Sequence, residues 1–166
     1  MTRQPRSAYQ TALAILARRD HFRRELAEKL RRRGYPEDEL EDALARCAVA
    51  GLLDDQRLAA RFVELRAADR GWGPHRLAAE LRRRGLAAAA AERAAAASPE
   101  LADAALATAL RRLERRAPAG WWRDGRRRAR MLSSLVTRGF DAEAAIAAVD
   151  ELAASRESTH HELDDE

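Results

Sequence analysis

The chain of 166 residues has one cysteine, Cys47, so no disulfide can close within it and a disulfide-stapled secreted scaffold is excluded. Val, Ile and Thr together number only eleven, too few β-branched residues to furnish a large sheet. No apolar run approaches the ~20 residues of a membrane-spanning helix. The opening segment MTRQPRSAYQ lacks the apolar core of a secretory signal, which points to a soluble, cytoplasmic protein with no membrane partner. Lysine is nearly missing as well: Lys29 stands alone beside thirty arginines.

What remains is Ala, Leu, Arg and Glu, all strong helix formers, so the fold class is all-α. Thirty-nine of the hydrophobic residues are Ala, which spreads the larger side chains thinly and favours many small helix-helix contacts over one thick core.

Glycine and proline mark the boundaries of nine expected helices. The first follows Ser7 and carries Tyr9, Leu13 and Leu16. The second begins near Asp20, aligns Phe22, Leu26 and Leu30, and stops at Gly34, the residue type best able to leave a helix in the left-handed conformation. Pro36 and the acids Glu37, Asp38 and Glu39 open a third, which carries Leu40, Leu44 and Cys47 and ends at Gly51. Asp54 is the expected N-cap of a fourth, with an apolar stripe of Leu58, Phe62 and Leu65 before Gly71. Gly73-Pro74 opens a fifth that carries Leu77 and Leu81 to Gly85. An alanine-rich helix spans 87–97, and Ser98-Pro99-Glu100 starts a seventh that closes before Pro118-Ala-Gly120. The last two are expected at 124–138 and 141–154.

Aligning the Arg-Gly stops exposes an internal repeat. Leu26-x3-Leu30-x2-Arg33-Gly34-Tyr35 matches Leu77-x3-Leu81-x2-Arg84-Gly85-Leu86, and Met131-x3-Leu135-x2-Arg138-Gly139-Phe140 matches both. The pattern predicts three tandem three-helix repeats, over 1–53, 54–98 and 99–155, forming an elongated, curved array. Residues 156–166 are expected to be an acidic, disordered tail, since they carry five acids against one Arg while residues 1–155 carry a net charge of +8.

The basic excess is clustered. Arg31-Arg32-Arg33, Arg82-Arg83-Arg84 and Arg126-Arg127-Arg128 with Arg130 form three groups, and Arg111-Arg112 with Arg115-Arg116 a fourth. On a repeated scaffold they can line up to track an anionic backbone. The first two triplets also stand in the last turn of a helix, where cations simply oppose its negative end, and both readings stay open. Trp121-Trp122 followed by Arg123 can stack on bases or anchor the third unit, with at least one ring in the core.

Enzyme signatures are lacking. Asp54-Asp55 reads as a helix cap with a first-turn acid, and His21 and His75 are isolated near helix starts. There is no metalloprotease spacing, nucleophile elbow or phosphate-cradling glycine loop. His160-His161 with Glu162, Asp164 and Asp165 reads as solvated tail in preference to a weak metal site, and Cys47 as buried packing. No catalytic residue, metal or cofactor is therefore expected.

Arg24-Glu-Leu-Ala-Glu-Lys-Leu-Arg-Arg-Arg-Gly34-Tyr35, Gly51-Leu-Leu-Asp-Asp-Gln-Arg-Leu-Ala59 with Phe62, Val63 and Arg66, and Gly73-Pro-His-Arg-Leu-Ala-Ala-Glu-Leu-Arg-Arg-Arg-Gly85 are the most distinctive stretches of the chain. Together they resemble the RecX family, regulators of the RecA recombinase. The resemblance is close over 20–86 and looser elsewhere. It implies three tandem three-helix repeats and a non-enzymatic regulator of recombination, DNA repair and the SOS response. Such a protein occupies the groove of the RecA–DNA filament, contacts successive protomers, and restrains ATP hydrolysis and strand exchange. Arg57, Arg61 and Arg66, expected to face outward between the residues of the Leu58/Phe62/Leu65 stripe, join the three triplets as candidate filament or DNA contacts. The implied partners are the RecA filament and single- and double-stranded DNA, engaged by a monomer; the other reading is a stand-alone helical DNA-binding protein. Two departures stand out: the second repeat ends in a nearly all-Ala helix, and an acidic segment is appended.

Overall fold

A computed structural model describes residues 6–164, with side chains as far as His161. Among the described residues the secondary structure is entirely helical: α1 (Ala8–Leu16), α2 (Arg23–Arg31), α3 (Glu37–Val49), α4 (Asp55–Arg70), α5 (Pro74–Arg83), α6 (Ala88–Ala95), α7 (Pro99–Glu114), α8 (Gly125–Thr137) and α9 (Ala142–Asp164). A single 3₁₀ turn, Trp121–Arg123, precedes α8.

The caps follow local chemistry. The Ser7 hydroxyl accepts the Gln10 amide hydrogen and the Gln10 side chain returns to the Ser7 amide, a reciprocal capping box. Ser98 caps α7 with Pro99 behind it, and Asp124 caps α8 by accepting from the Arg126 and Arg127 amides. The three glycines at equivalent repeat positions all take positive φ: Gly34 at 84°, Gly85 at 105° and Gly139 at 89°. Each therefore ends its helix in the left-handed region. The paired apolar residues before them, Leu26/Leu30, Leu77/Leu81 and Met131/Leu135, are all buried. The fold is all-α and built from tandem three-helix repeats.

The chain forms two compact units, Met1–Phe62 with Glu80–Ala94, and Val63–Ala79 with Ala95–Glu166. In the first, Ala8 and Ala12 of α1, Leu26 and Leu30 of α2, and Leu40, Ala43, Leu44 and Cys47 of α3 make one core with Leu53. Cys47 is fully enclosed there, and burial pushes its thiol pKa up, away from reactivity. In the second, Ala67, Ala105, Ala109, Met131, Leu135, Ala145 and Val149 surround Trp121 and Phe140. Backbones approach closely here: the Gly73 amide donates to the Arg138 carbonyl at 2.8 Å and His75 to Gly139 at 3.0 Å. A Cβ on Gly73 would lie 2.5 Å from the Gly139 oxygen, so this contact requires hydrogen at that position.

Two expectations from sequence are corrected. On α4 the buried residues are Ala59, Val63 and Ala67, while Leu65 is 57% exposed. Small residues take the packed face because alanine lets backbones come close, so the larger Leu58/Phe62/Leu65 stripe is not the core stripe. Residues 156–164 do not leave the fold as a disordered tail but continue α9 as helix. Arg156 pairs with Glu114 of α7, Arg123 Nε with Glu157 Oε1 at 3.2 Å, and the Trp122 and His160 rings lie 6.0 Å apart. Cross-helix partners, invisible in the local composition, hold the polar segment. Residues 165–166 lie outside the described ones.

Candidate nucleic-acid and partner interface

The first two basic triplets stand at the helix ends that the buried leucine pairs fix and the third in the first turn of α8, and their side chains differ sharply in what they touch. Arg31 forms a bidentate pair with Glu37, at 2.7 and 3.2 Å. Glu37 in return has its carboxyl pKa lowered by that hydrogen bond. Arg32 reaches Glu28 only at 4.0 Å and is 81% exposed. Arg33 has no carboxylate partner among the described residues and donates to the Lys29 carbonyl at 2.8 Å.

The second triplet is split by function. Arg82 points to Glu92 at 3.3 Å, and Arg83 makes a bidentate bond to Glu80, at 2.8 and 3.0 Å, from an exposed position. Arg84 is different. It reaches Glu25 at 3.4 Å and Glu80 at 3.2 Å, and its guanidinium lies 4.9 Å from the centroid of the Phe62 ring. Only 28% exposed, Arg84 ties the end of α5 to α2 within the first unit, and is spent on the fold. Glu80, held between two guanidiniums, has its pKa lowered, first by its hydrogen bond with Arg83.

Arg57 donates to the Gly51 carbonyl at 3.1 Å, and Arg61 lies 3.6 Å from Asp20; both are exposed. Arg66 corrects the expectation that it faces outward. Its side chain is half-buried with Nε shut away from solvent, and its guanidinium carbon stands 5.8 Å from the Trp72 ring. The packed face of Ala59, Val63 and Ala67 turns it inward. In the third group Arg127 pairs with Asp124 at 3.0 Å and Arg128 with Asp150 at 3.9 Å, whereas Arg126 is exposed with no carboxylate partner among the described residues.

The second unit also brings together cations that the sequence left apart: Arg112 and Arg116 of the fourth basic group, Arg138 of the third Arg-Gly stop, and Arg76. Burial lowers the pKa of Arg138, and the neighbouring charges of Arg76, Arg116 and Arg112 lower it further. Arg76 stacks 4.4 Å from the Trp72 centroid and donates to the Thr137 carbonyl at 3.5 Å. Four guanidiniums beside an indole form a surface suited to phosphates and bases. They come from α5, α7 and the turn after it, and the end of α8, so sequence separation hid the grouping. Trp121 is buried and Trp122 packs edge-on against it, rings 88° apart, so the pair anchors the core. Among the described residues no group of three metal-ligating side chains exists, and no helix is long and apolar enough to cross a membrane.

Comparison with known proteins gives consistent matches. Residues 8–47 match the model of the first three-helix domain of RecX, and 54–94 that of the second. A regulatory protein RecX from Halorhodospira halophila is 45% identical over 143 residues, covering 84% of this chain and 86% of that protein. One from Pseudomonas syringae is 47% identical over 90 residues, or 54% of this chain and 57% of that protein. The crystal structure of RecX from Lactobacillus salivarius aligns at a TM-score of 0.74 and 22% identity, covering 87% of this chain and 94% of that one.

Proposed function

Because the chain belongs to the RecX family of regulatory proteins, we propose that it is a non-enzymatic negative regulator that binds in the groove of the RecA–DNA filament and inhibits ATP hydrolysis and strand exchange. Family membership carries this reading: 45% identity across most of both chains joins it to proteins named as regulators, none of them named as an enzyme.

The arrangement of cations supports a mechanism. A filament groove presents protein carboxylates and DNA phosphates together, and arginine pairs with either in a bidentate manner. Among the described residues Arg33, Arg57 and Arg126 have no carboxylate to displace, while Arg32, Arg61, Arg82 and Arg128 are held there only by exposed pairs worth at most about 1 kcal/mol each. These arginines exchange an internal acid for a partner at little cost. The α1–α3 and α4–α6 repeats supply most protein contacts and the arginines of the first and third repeats approach DNA. Contacts to several protomers act at high effective concentration, so individually weak ones still slow subunit exchange.

The test is single-strand-dependent ATP hydrolysis by the cognate recombinase, titrated with this protein at fixed salt and excess DNA. Inhibition well below one molecule per recombinase protomer is the expected result, since masking of DNA cannot act so sparsely. Inhibition only when the DNA is saturated would leave a stand-alone DNA-binding protein, with an affinity falling steeply as salt rises.

A further inference from the structure

The first unit contains a cavity of about 500 Å³ whose charged lining is entirely cationic. Arg6, Arg18, Arg19, Lys29 and Arg33 border it, with no Asp or Glu among the lining residues. They come from four places: the entrance of α1, the turn after it, α2 with Lys29, and the turn beyond the end of α2 with Arg33. Among the described residues no carboxylate pairs with Arg6, Arg18, Lys29 or Arg33, and Arg19 meets Glu25 only at 3.7 Å.

The walls are held by hydrogen bonds of Tyr35, Thr11 and His21, while Arg33 donates to the Lys29 carbonyl at 2.8 Å and Arg19 to the Asp20 carbonyl at 3.1 Å, contacts that bring their positive charge no counter-anion. The Tyr35 hydroxyl donates to the Arg6 carbonyl at 2.8 Å and must therefore accept from Thr11, 2.7 Å away. This relay pins the segment bearing Arg6 against α1. His21, only 4% exposed, bonds through Nδ1 to the Arg19 carbonyl at 2.9 Å. A carbonyl only accepts, so Nδ1 carries the hydrogen and the ring fixes the turn that presents Arg18 and Arg19. Burial lowers the pKa of that ring, with Arg19 and Lys29 also disfavouring its charge.

Convergent like charges around an open space repel one another until an anion occupies it. We propose that this cavity is a binding site for a condensed phosphate: a short chain of phosphoryl groups, free or as the tail of a nucleoside triphosphate. Charge density selects that class. A DNA strand supplies one charge per nucleotide, whereas a triphosphate concentrates three or more in one small volume. Arginine forks match phosphoryl oxygens bidentately, and Lys29 adds a point charge. Of the five cations only Arg33 is shared with the candidate filament contacts.

Because Lys29 is the sole lysine in the chain, the site can be read directly. Calorimetric titration of the full chain with sodium tripolyphosphate, at constant ionic strength, should show saturable binding of one anion. Arg18→Gln/Lys29→Gln should weaken it at least tenfold, while Arg93→Gln should leave it within about twofold. In the unaltered protein, saturating tripolyphosphate should slow acetylation of Lys29, followed by peptide mass spectrometry, several-fold more than sulfate at the same ionic strength. Equal or tighter binding of ATP supports a nucleotide as the source. Lack of saturable binding, undiminished binding in the double variant or an unprotected Lys29 would each overturn the proposal. Tighter binding of a thymidine trinucleotide than of tripolyphosphate would also overturn it, making the cavity part of a strand-binding surface.

Discussion

The Asp55 carboxylate accepts the Arg23 amide hydrogen at 2.7 Å, so a residue in the first turn of α4 closes the start of α2, thirty-two residues away in sequence. Residue Phe22, at the N-cap of α2, offers no side-chain acceptor of its own. Asp54, next to Asp55 in sequence, meanwhile caps α4, accepting from the Arg57 amide at 2.9 Å. Two adjacent carboxylates thus satisfy orphan donors of two different helices, and each opposes the positive end of a helix dipole.

Removing either should be felt as a lost cap. Asp54→Ala and Asp55→Ala are each expected to cost about 1–2 kcal/mol in urea unfolding, and Asp55→Asn less, since its amide oxygen still accepts. An Asp55→Ala protein as stable as the parent would show that the long-range cap contributes nothing.

The repeat-equivalent glycines should separate when substituted. Gly34 has positive φ but open space around the position of a Cβ, so Gly34→Ala costs only the conformational term, about 1–2 kcal/mol. A Cβ on Gly139 would lie 2.2 Å from the Arg76 nitrogen, a backbone atom that cannot swing away. Gly139→Ala is therefore expected to exceed about 4 kcal/mol or to prevent folding. Comparable thermal midpoints for the two variants would refute the close packing.

Much of this architecture was legible because the chain spells its punctuation. Ser7, Pro36, Asp54, Pro74 and Ser98 stand at helix starts, and Gly34, Gly85 and Gly139 at ends, each for a reason local to a few residues. The misreadings share another cause. The face of α4 is set by alanines, whose burial depends on how close a neighbouring helix comes. The extension of α9 depends on Glu114, Arg123 and Trp122, which lie far back in the chain. Likewise the cavity cations Arg6, Arg18, Arg19 and Lys29 stand outside the Arg31–Arg33 triplet, and no local pattern joins them to it.

Titration of His21 gives a sign-specific expectation. Burial lowers its pKa below the ordinary 6.5, so as pH falls through 6.5 the unfolded chain takes up a proton before the folded one does. Stability is then full above pH 6.5 and declines below it, until the lower folded-state pKa is reached. His21→Asn retains a donor for the Arg19 carbonyl without the titration. Thermal melts from pH 7.5 to 5 should show a steeper loss for the parent than for this variant, and parallel curves would contradict the assignment.

Within Arg82-Arg83-Arg84, stability and partner binding should come apart. Arg84 bridges two partly buried carboxylates and covers Phe62, so Arg84→Ala leaves Glu25 and Glu80 short of a partner and should cost about 2 kcal/mol. Arg82 and Arg83 stand in exposed pairs, and their alanine variants should unfold in urea at nearly the midpoint of the parent. If the last turn of α5 meets the filament, the Arg82→Ala/Arg83→Ala protein keeps its fold while its inhibition of recombinase ATP hydrolysis weakens. Unchanged inhibition by this well-folded variant would remove the two residues from the interface.

The helical extension of α9 distinguishes a structural tail from a solvated one. Ending the chain at Ser155 deletes Arg156 and Glu157 together with the ring contact of His160 to Trp122, leaving Glu114 and Arg123 without these partners. These are exposed or edge contacts, so the loss should be modest, about 1–2 kcal/mol, and confined to the second unit. Tryptophan emission should shift to longer wavelength as Trp122 gains water. Ending the chain after His161 keeps all three contacts and should leave both stability and emission unchanged. The pair of truncations also isolates charge, because the longer one still removes four of the five acids beyond residue 155. If those acids compete with phosphates for the arginines, DNA affinity rises on losing 162–166 alone, with no change in stability. Equal DNA affinity before and after that shorter deletion would restrict the segment to its packing role.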